Sequence, residues 1–414
     1  MHFLSTYQRI ISRLLLVSSL IVTGAMADEV IMSPAVANTA SNNVPTVGPS
    51  RPKNIIIMIG DGMGPAYTTA YRYYKDNPDT EEIEQTVFDR LLVGMASTYP
   101  ASVSGYVTDS AASATALSTG VKSYNGAIAV DTEKRPLTTL MEKAKALGLS
   151  TGVAVTSQVN HATPAAFLAH NESRSNYIDI AEAYLTSDAD VIHGGGQQYF
   201  TPTLLEQFSA KGYQHISEFS ELASVTTPKV LGLFADVQLP WAINDKQAHK
   251  LSHMTQKALD LLSQNEQGFV LLVEGSLIDW AGHSNDIATA MGEMDEFASA
   301  IEVVKASPDV IATRAIAEDN WLPLTATLLG FTPNEAQYSQ LQSARMQGNE
   351  PLSIALRKLI DIQSNTGWTS GGHTAMDVQV FAEGPGARLF SGHQDNIDIA
   401  IKMFSLLPQS VQTP

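Results

Sequence analysis

Cysteine is absent from all 414 residues. Its absence excludes disulfides, a thiolate metal site, a cysteine nucleophile and a lipoprotein anchor. Any metal must therefore be held by His, Asp, Glu or hydroxyl oxygens. Positive charge is scarce: 25 Lys and Arg face 42 Asp and Glu, for a net charge of −17. Such a chain offers no basic face to a phosphate backbone and no polybasic patch to an anionic bilayer. Charged residues of both signs make up only 16%, against 44% hydrophobic residues, which argues for a packed core rather than disorder. The length suits one large α/β domain or two ordinary ones. Long apolar runs are lacking as well; the best candidate, residues 14–22, is too short to span a bilayer comfortably.

That short run has another use. Arg9 and Arg13 precede it with no acid among residues 1–27, and Ala25-Met26-Ala27 follows. A positive start, a short apolar core and an A-x-A site describe a secretory signal peptide. Cleavage after residue 27 takes the net charge from −17 to −19 and leaves no membrane anchor. The product is expected to be exported, to a periplasm or to the medium. Residues 28–52, rich in Ala, Ser, Asn, Thr and Pro, read as a flexible lead-in. Residues 53–414 read as a single domain.

Within that domain, strand and helix patterns alternate. Residues 54–59, 151–157 and 268–273 are apolar runs of the kind a buried parallel strand shows. Residues 189–193 and 377–381 read as shorter strands. Helical spacing runs through 110–119, 137–147, 179–185, 249–262, 286–305 and 395–407. The expected fold class is α/β, with a mainly parallel central sheet and helices on both faces.

In such sheets ligands bind beyond the carboxyl ends of the strands. Asp61 follows the first strand, His161 and Thr163 the second, and Glu274, Asp279 and His283 the third. A lone carboxylate at a strand end is more often a helix cap than a ligand. Convergence of these segments at one sheet edge favours a metal site instead. Ser110 stands where a helix N-terminus favours an anion, although serine there is commonly an N-cap. No G-x-S-x-G elbow surrounds it, so metal coordination is the better route to an activated hydroxyl. Arg174 could clamp phosphate oxygens, or simply face solvent.

Five stretches carry a resemblance: Gly60-Asp61-Gly62-Met63-Gly64; Thr108-Asp109-Ser110-Ala111-Ala112; His161-Ala162-Thr163-Pro164-Ala165; the run from Val273 to His283; and Gly367-Trp368-Thr369-Ser370-Gly371-Gly372-His373-Thr374. Together, and in this order, they resemble the alkaline phosphatase family. The resemblance implies an alkaline-phosphatase-like fold and hydrolysis of phosphate monoesters with broad specificity, using two Zn2+ and one Mg2+. It implies that Ser110 is the nucleophile that becomes phosphoserine, that Asp109 orients Arg174, and that Arg174 binds the phosphoryl oxygens. It implies that Asp279, His283 and His373 hold the first zinc, that Asp61 bridges the second zinc and the magnesium, and that Thr163 and Glu274 complete the magnesium site. His161 and Trp280 stand where the enterobacterial form has an Asp and a Lys. A homodimer is left open.

The chemistry suits that assignment. Phosphoryl transfer depends on positioning and charge neutralisation, and two cations stabilise the entering and leaving oxygens of an in-line displacement. A high pH optimum is expected. Rival readings are a related two-metal diesterase, sulfatase or phosphonate hydrolase, and an exported phosphate- or metal-binding relative without efficient turnover.

The last rival has a specific basis. The family carries an Asp-His pair at the end of another buried strand, between the helix around Glu293 and His373. Here the ten histidines are residues 2, 161, 170, 193, 215, 249, 253, 283, 373 and 393, and none follows an Asp. Residues 310–313 form the best β-branched run between 284 and 372, and it is short. The expectation is an internal deletion near residues 304–305, of roughly 40 residues if a strand and its connections are gone. The second zinc site would then be incomplete. Asp319 lacks the strand and imidazole that a substitute would need. His193 could complete the site only by swinging in. Otherwise His193, like His215, His249, His253 and His393, reads as an ordinary surface or core residue.

Overall fold

The computed structural model describes residues 51–245, 247, 249–306, 334–347 and 349–408. The signal peptide, the lead-in up to residue 50, residues 310–313 and Asp319 lie outside the described residues. The strands are β1 (Ile55–Gly60), β2 (Leu92–Ser97), β3 (Ser150–Gln158), β4 (Val191–Gly195), β5 (Gln214–Ile216), β6 (Val230–Leu233), β7 (Phe269–Gly275), β8 (Val378–Phe381) and β9 (Gly392–Asp395). The helices up to β7 are α1 (Pro65–Lys75), α2 (Val87–Leu91), α3 (Ser110–Thr119), α4 (Leu140–Ala146), α5 (Ala162–Leu168), α6 (Tyr177–Ser187), α7 (Pro202–Ala210) and α8 (Lys250–Leu262). After it come α9 (Leu277–His283), α10 (Ile287–Ala306), α11 (Glu335–Gln347), α12 (Asn349–Gln363) and α13 (Asn396–Leu406).

Six strands form one parallel sheet in the order β1-β7-β3-β4-β6-β5. The α/β class is therefore as expected. Side chains alternate across β7: Val270 and Leu272 face one core with Val153, Val155, Ile180, Tyr184 and Phe208. Leu271 and Val273 face the other, with Leu251, Met254, Ala258, Met294 and Phe297. Burial on both faces is why β7 reads as an unbroken apolar run.

β1 is different. Its sequence reads as a central strand, yet among the described residues it pairs only with β7 and forms an edge. All six of its residues are part-buried, whereas all seven of β7 are buried.

The late strand expected over 377–381 is present as β8 but lies outside the parallel sheet. It pairs antiparallel with β2, which also pairs parallel with β9. The helix read over 137–147 begins only at Leu140, because Thr139 and Glu142 exchange hydrogen bonds in a capping box.

α10 presents two carboxylates to the interior. Glu296 accepts a hydrogen bond from the Leu251 amide in the first turn of α8, and Glu293 accepts one from Ala242 N at 2.8 Å. Glu293 is 2% exposed. Burial, then the neighbouring Glu296 and Asp245 carboxylates, push it up to about 8 from an ordinary 4.5. Lys250, the nearby cation, is engaged by Asp245. A carboxyl raised in the folded state stabilises the fold below its unfolded value and stops doing so as pH rises through the folded one. Glu293→Gln keeps the acceptor for Ala242 N and removes the charge. It should raise the melting temperature by several degrees at pH 9 and hardly at pH 5. Equal shifts at both pH values would reject this account.

Candidate active site

The carboxyl ends of the adjacent strands β1, β7 and β3 deliver the site. Asp61 follows β1, and its amide donates to Gly275 O at the end of β7. Gly62 turns the chain at φ 63°, and a Cβ there would stand 2.5 Å from Asp279 Oδ1. Only glycine satisfies both conditions. The α9 segment begins right after Glu274, where Thr156 Oγ1 of β3 accepts from Ser276 N and Leu277 N.

Ser110 was weighed as an N-cap; the structure corrects this. Asp109 is the N-cap of α3, accepting from Ala112 N at 2.9 Å, and Ser110 is the first helical residue. Its hydroxyl is thereby free of capping. It lies 2.9 and 3.0 Å from the two Asp61 oxygens and donates to that carboxylate. The other Asp109 oxygen accepts from Arg174 Nη1 at 3.0 Å, and Arg174 Nη2 donates to His161 Nε2 at 3.0 Å. The guanidinium is thus held from two sides. Burial, then Arg174, push His161 down to about 3 and keep it neutral. Trp280 meets its ring edge to face at 5.6 Å.

Asp279, His283 and His373 come together as well. One ligand atom from each lies within 4.8 Å of the others. Asp279 Oδ2 is 3.2 Å from His283 Nε2, and Oδ1 is 3.0 Å from His373 Nε2. His283 Nδ1 meets Gly371 O at 2.8 Å, and His373 Nδ1 meets Thr108 O at 3.0 Å. A carbonyl can only accept, so each Nδ1 carries the proton and each Nε2 is turned to the cluster. That is the arrangement a metal-ligating imidazole adopts. The hydrogen bond to Asp279 pushes His373 up to about 9, so the pocket favours positive charge.

Glu274 is fully buried, and neither of its oxygens has a hydrogen-bond partner. The hydroxyls of Thr163 and Ser276 lie beside it without closing a bond. Burial first, then a neighbouring carboxylate (Asp61 for Glu274, Asp279 for Asp61), holds both groups well above the usual range. Bare carboxylates at this depth need a proton or a cation, so the donor set fits hard metal ions.

His193 does not join the site. It is fully buried in β4, with its ring packed near Phe234. Among the described residues, Asp279, His283 and His373 are the one group of three His, Asp or Glu side chains whose ligand atoms all lie within 4.8 Å of one another. Four residues take part in ways their sequence did not signal. Tyr67 packs on α9 at Gly282, where a Cβ would stand 2.1 Å from its hydroxyl. Asn125 braces the approach to Ser110, and the carbonyls of Thr108 and Gly371 orient the imidazoles.

An alkaline phosphatase family model matches residues 52–313 and 308–408. Alkaline phosphatase 3 of Bacillus subtilis (strain 168) is 36% identical over 448 residues, covering 92% of this chain and 96% of that protein. Since 92% of 414 is about 381, about 67 of those 448 positions have no counterpart here. The crystal structure of a cold-active alkaline phosphatase from a psychrophilic Shewanella sp. is 63% identical, with a TM-score of 0.80, and covers 86% of this chain and 100% of that chain. A variant of the alkaline phosphatase from the Antarctic bacterium TAB5, with Mg bound in its M3 site, is 26% identical with a TM-score of 0.66, covering 87% and 99%.

Proposed function

The chain belongs to the alkaline phosphatase family of phosphomonoester hydrolases, and from that premise we propose that it acts through a phosphoserine formed on Ser110, with metal ions in the adjoining carboxylate and imidazole cluster. The observation that carries this reading is the Ser110 hydroxyl against Asp61, at the N-terminus of α3 and beside a clamped arginine. Arg174 binds two phosphoryl oxygens, and Asp109 and His161 keep its guanidinium in place for bidentate contact. The first free N–H groups of α3 face the same anion. Ser110 Oγ attacks phosphorus as its proton passes toward Asp61. The ester P–O bond breaks and the alcohol leaves with a proton from solvent. Water then attacks the phosphoserine, breaking its P–Oγ bond to release inorganic phosphate and return a proton to Ser110.

Asp279, His283 and His373 would hold one zinc; Asp61, Thr163 and Glu274 would hold magnesium, with Asp61 shared toward the second zinc position. Bound cations supply charge for the entering and leaving oxygens and a more acidic water. Binding centred on the phosphoryl group leaves specificity for the alcohol broad. The pattern over residues 1–27 supports export, to a periplasm or the medium, and among the described residues no helix is long and apolar enough to cross a membrane. A homodimer is part of the proposal.

The test is hydrolysis by the purified mature chain with Zn2+ and Mg2+ supplied. An aryl phosphate monoester should release phosphate, with the matching diester and sulfate ester turned over far more slowly. Preference for either of those would overturn the reading.

A second reading has its own support. The family match breaks in two near residues 308–313, many relative positions have no counterpart here, and β1 stands at an edge although it reads as central. These favour the loss of a strand next to β1, near residues 304–305, and with it the Asp-His pair of the second zinc. On this reading the chain is a one-zinc, catalytically weakened phosphatase, or an exported phosphate- or metal-binding relative.

A further inference from the structure

We propose that Asn125 is a positioning residue for phosphoryl transfer: with Gly126 it fixes the span between the nucleophile's helix and Arg174. The proposal rests on Ser110 being the phosphoryl acceptor and Arg174 the phosphoryl clamp. Asp109, the cap of α3, and Arg174 stand 65 residues apart in the chain and meet through one ion pair at 3.0 Å. Their side chains are 20% and 24% exposed. A solvent-reached pair of this kind holds a geometry only weakly by itself, and the same guanidinium must also turn donors to the phosphoryl group.

Residues 125–129 supply the rest of the span. On the nucleophile's side, Asp109 N donates to Asn125 Oδ1 at 3.1 Å, and Asn125 Nδ2 donates to Val107 O at 3.0 Å. One side chain thus grips the chain at two points just before Ser110. On the clamp's side, Arg174 N donates to Gly126 O at 2.8 Å, and Ile128 and Asn171 exchange both backbone hydrogen bonds, at 3.0 and 2.9 Å. At the far end of the segment, Thr115 Oγ1 of α3 donates to Ala127 O and accepts from Ala129 N, each at 2.9 Å. His170 Nδ1 donates to Ala129 O at 2.8 Å. Thr115 alone would leave the segment free to pivot about α3. Asn125 is the second attachment, and it removes the pivot. Arg174 hangs from the next residue, so a shift at Asn125 is passed to the guanidinium. Asn125 is itself exposed, so these bonds rather than core packing are what it contributes.

The test is a double-mutant cycle of Asn125→Ala and Arg174→Ala in the mature chain supplied with Zn2+ and Mg2+. It is read by calorimetric titration of inorganic phosphate, so turnover is not needed. Arg174→Ala should weaken phosphate binding about ten- to a hundredfold, the range for losing hydrogen bonds from a charged group. Asn125→Ala should weaken it about three- to tenfold with zinc content unchanged. It should also lower kcat/KM for an aryl phosphate by about ten- to a hundredfold, as a misplacement of about 1 Å does. In the Arg174→Ala background, Asn125→Ala should change phosphate affinity less than about twofold, because no guanidinium is left to misplace. Equal effects of Asn125→Ala in both backgrounds, which a purely structural role gives, overturn the proposal. So does unchanged phosphate affinity in Asn125→Ala, or loss of its zinc. Arg174→Ala binding phosphate as tightly as the wild type, or a wild type that does not bind it, removes the clamp itself, and the proposal falls with it.

Discussion

Ser110→Ala is expected to lower monoester turnover by on the order of a thousandfold or more while leaving the fold and the zinc content in place. The expectation separates cleanly into parts because the cap of α3 is Asp109. Removing the Ser110 hydroxyl costs no cap, and alanine is a good residue in the first helical turn. Nor does Ser110 belong to the Asp279, His283 and His373 cluster, so one zinc should remain. What disappears is the oxygen held against Asp61. Rapid acid quenching of the wild type with an aryl phosphate should trap phosphate on the peptide containing Ser110. A normal burst of product from the alanine variant would reject the covalent route.

The second large effect concerns metal content. The purified chain should hold one zinc tightly, and His373→Ala should lose it, because that imidazole reaches Asp279 from a segment remote in sequence. If the second cation is missing, charge stabilisation worth several kcal/mol is missing with it. Each 1.36 kcal/mol is a factor of ten in rate, so turnover should fall about three to four orders of magnitude below a two-zinc relative. Two tightly bound zincs per chain with brisk turnover would refute the deletion. One zinc with trace activity supports it.

Strands buried on both faces announce themselves, and β3, β4 and β7 are readable for that reason; β1 reads the same way because Ile55, Ile57 and Ile59 pack on one core and Ile56 and Met58 on the other, although none is fully buried. β9 is not: Gly-His-Gln-Asp has no strand character. It pairs with β2 because two glycines meet, a Cβ on Gly94 coming within 2.1 Å of Gly392 O. β5 and β6, three and four residues long, are too short for periodicity to register. Position within the sheet was equally hidden. The apolar run of β1 says that it is covered, but not that its other flank has no strand among the described residues.

The site divides in the same way. Asp61, Ser110, Arg174 and the cluster around Asp279 could be named because side-chain chemistry is written in the sequence. The carbonyls of Thr108 and Gly371 could not, since every residue has one and only the fold selects which is used. Asn125 belongs to none of the sequence motifs, and three hydrogen bonds tie it to the segment leading into the nucleophile's helix.

The register of β1 also sets a clock for synthesis. Ile55 pairs with Val270, 215 residues later. At roughly 5–20 residues per second, about 10–40 s pass between the appearance of one strand and that of its neighbour. Throughout that interval Ile55, Ile56, Ile57, Met58 and Ile59 have no strand to join. The sheet cannot close from its N-terminal end as it emerges; β3 and β4 can pair early, and β1 must wait for β7 to be inserted between it and β3. A nascent chain of this protein therefore carries five apolar strand residues without their native partner for about half of its translation, a stretch in which they are open to non-native pairing.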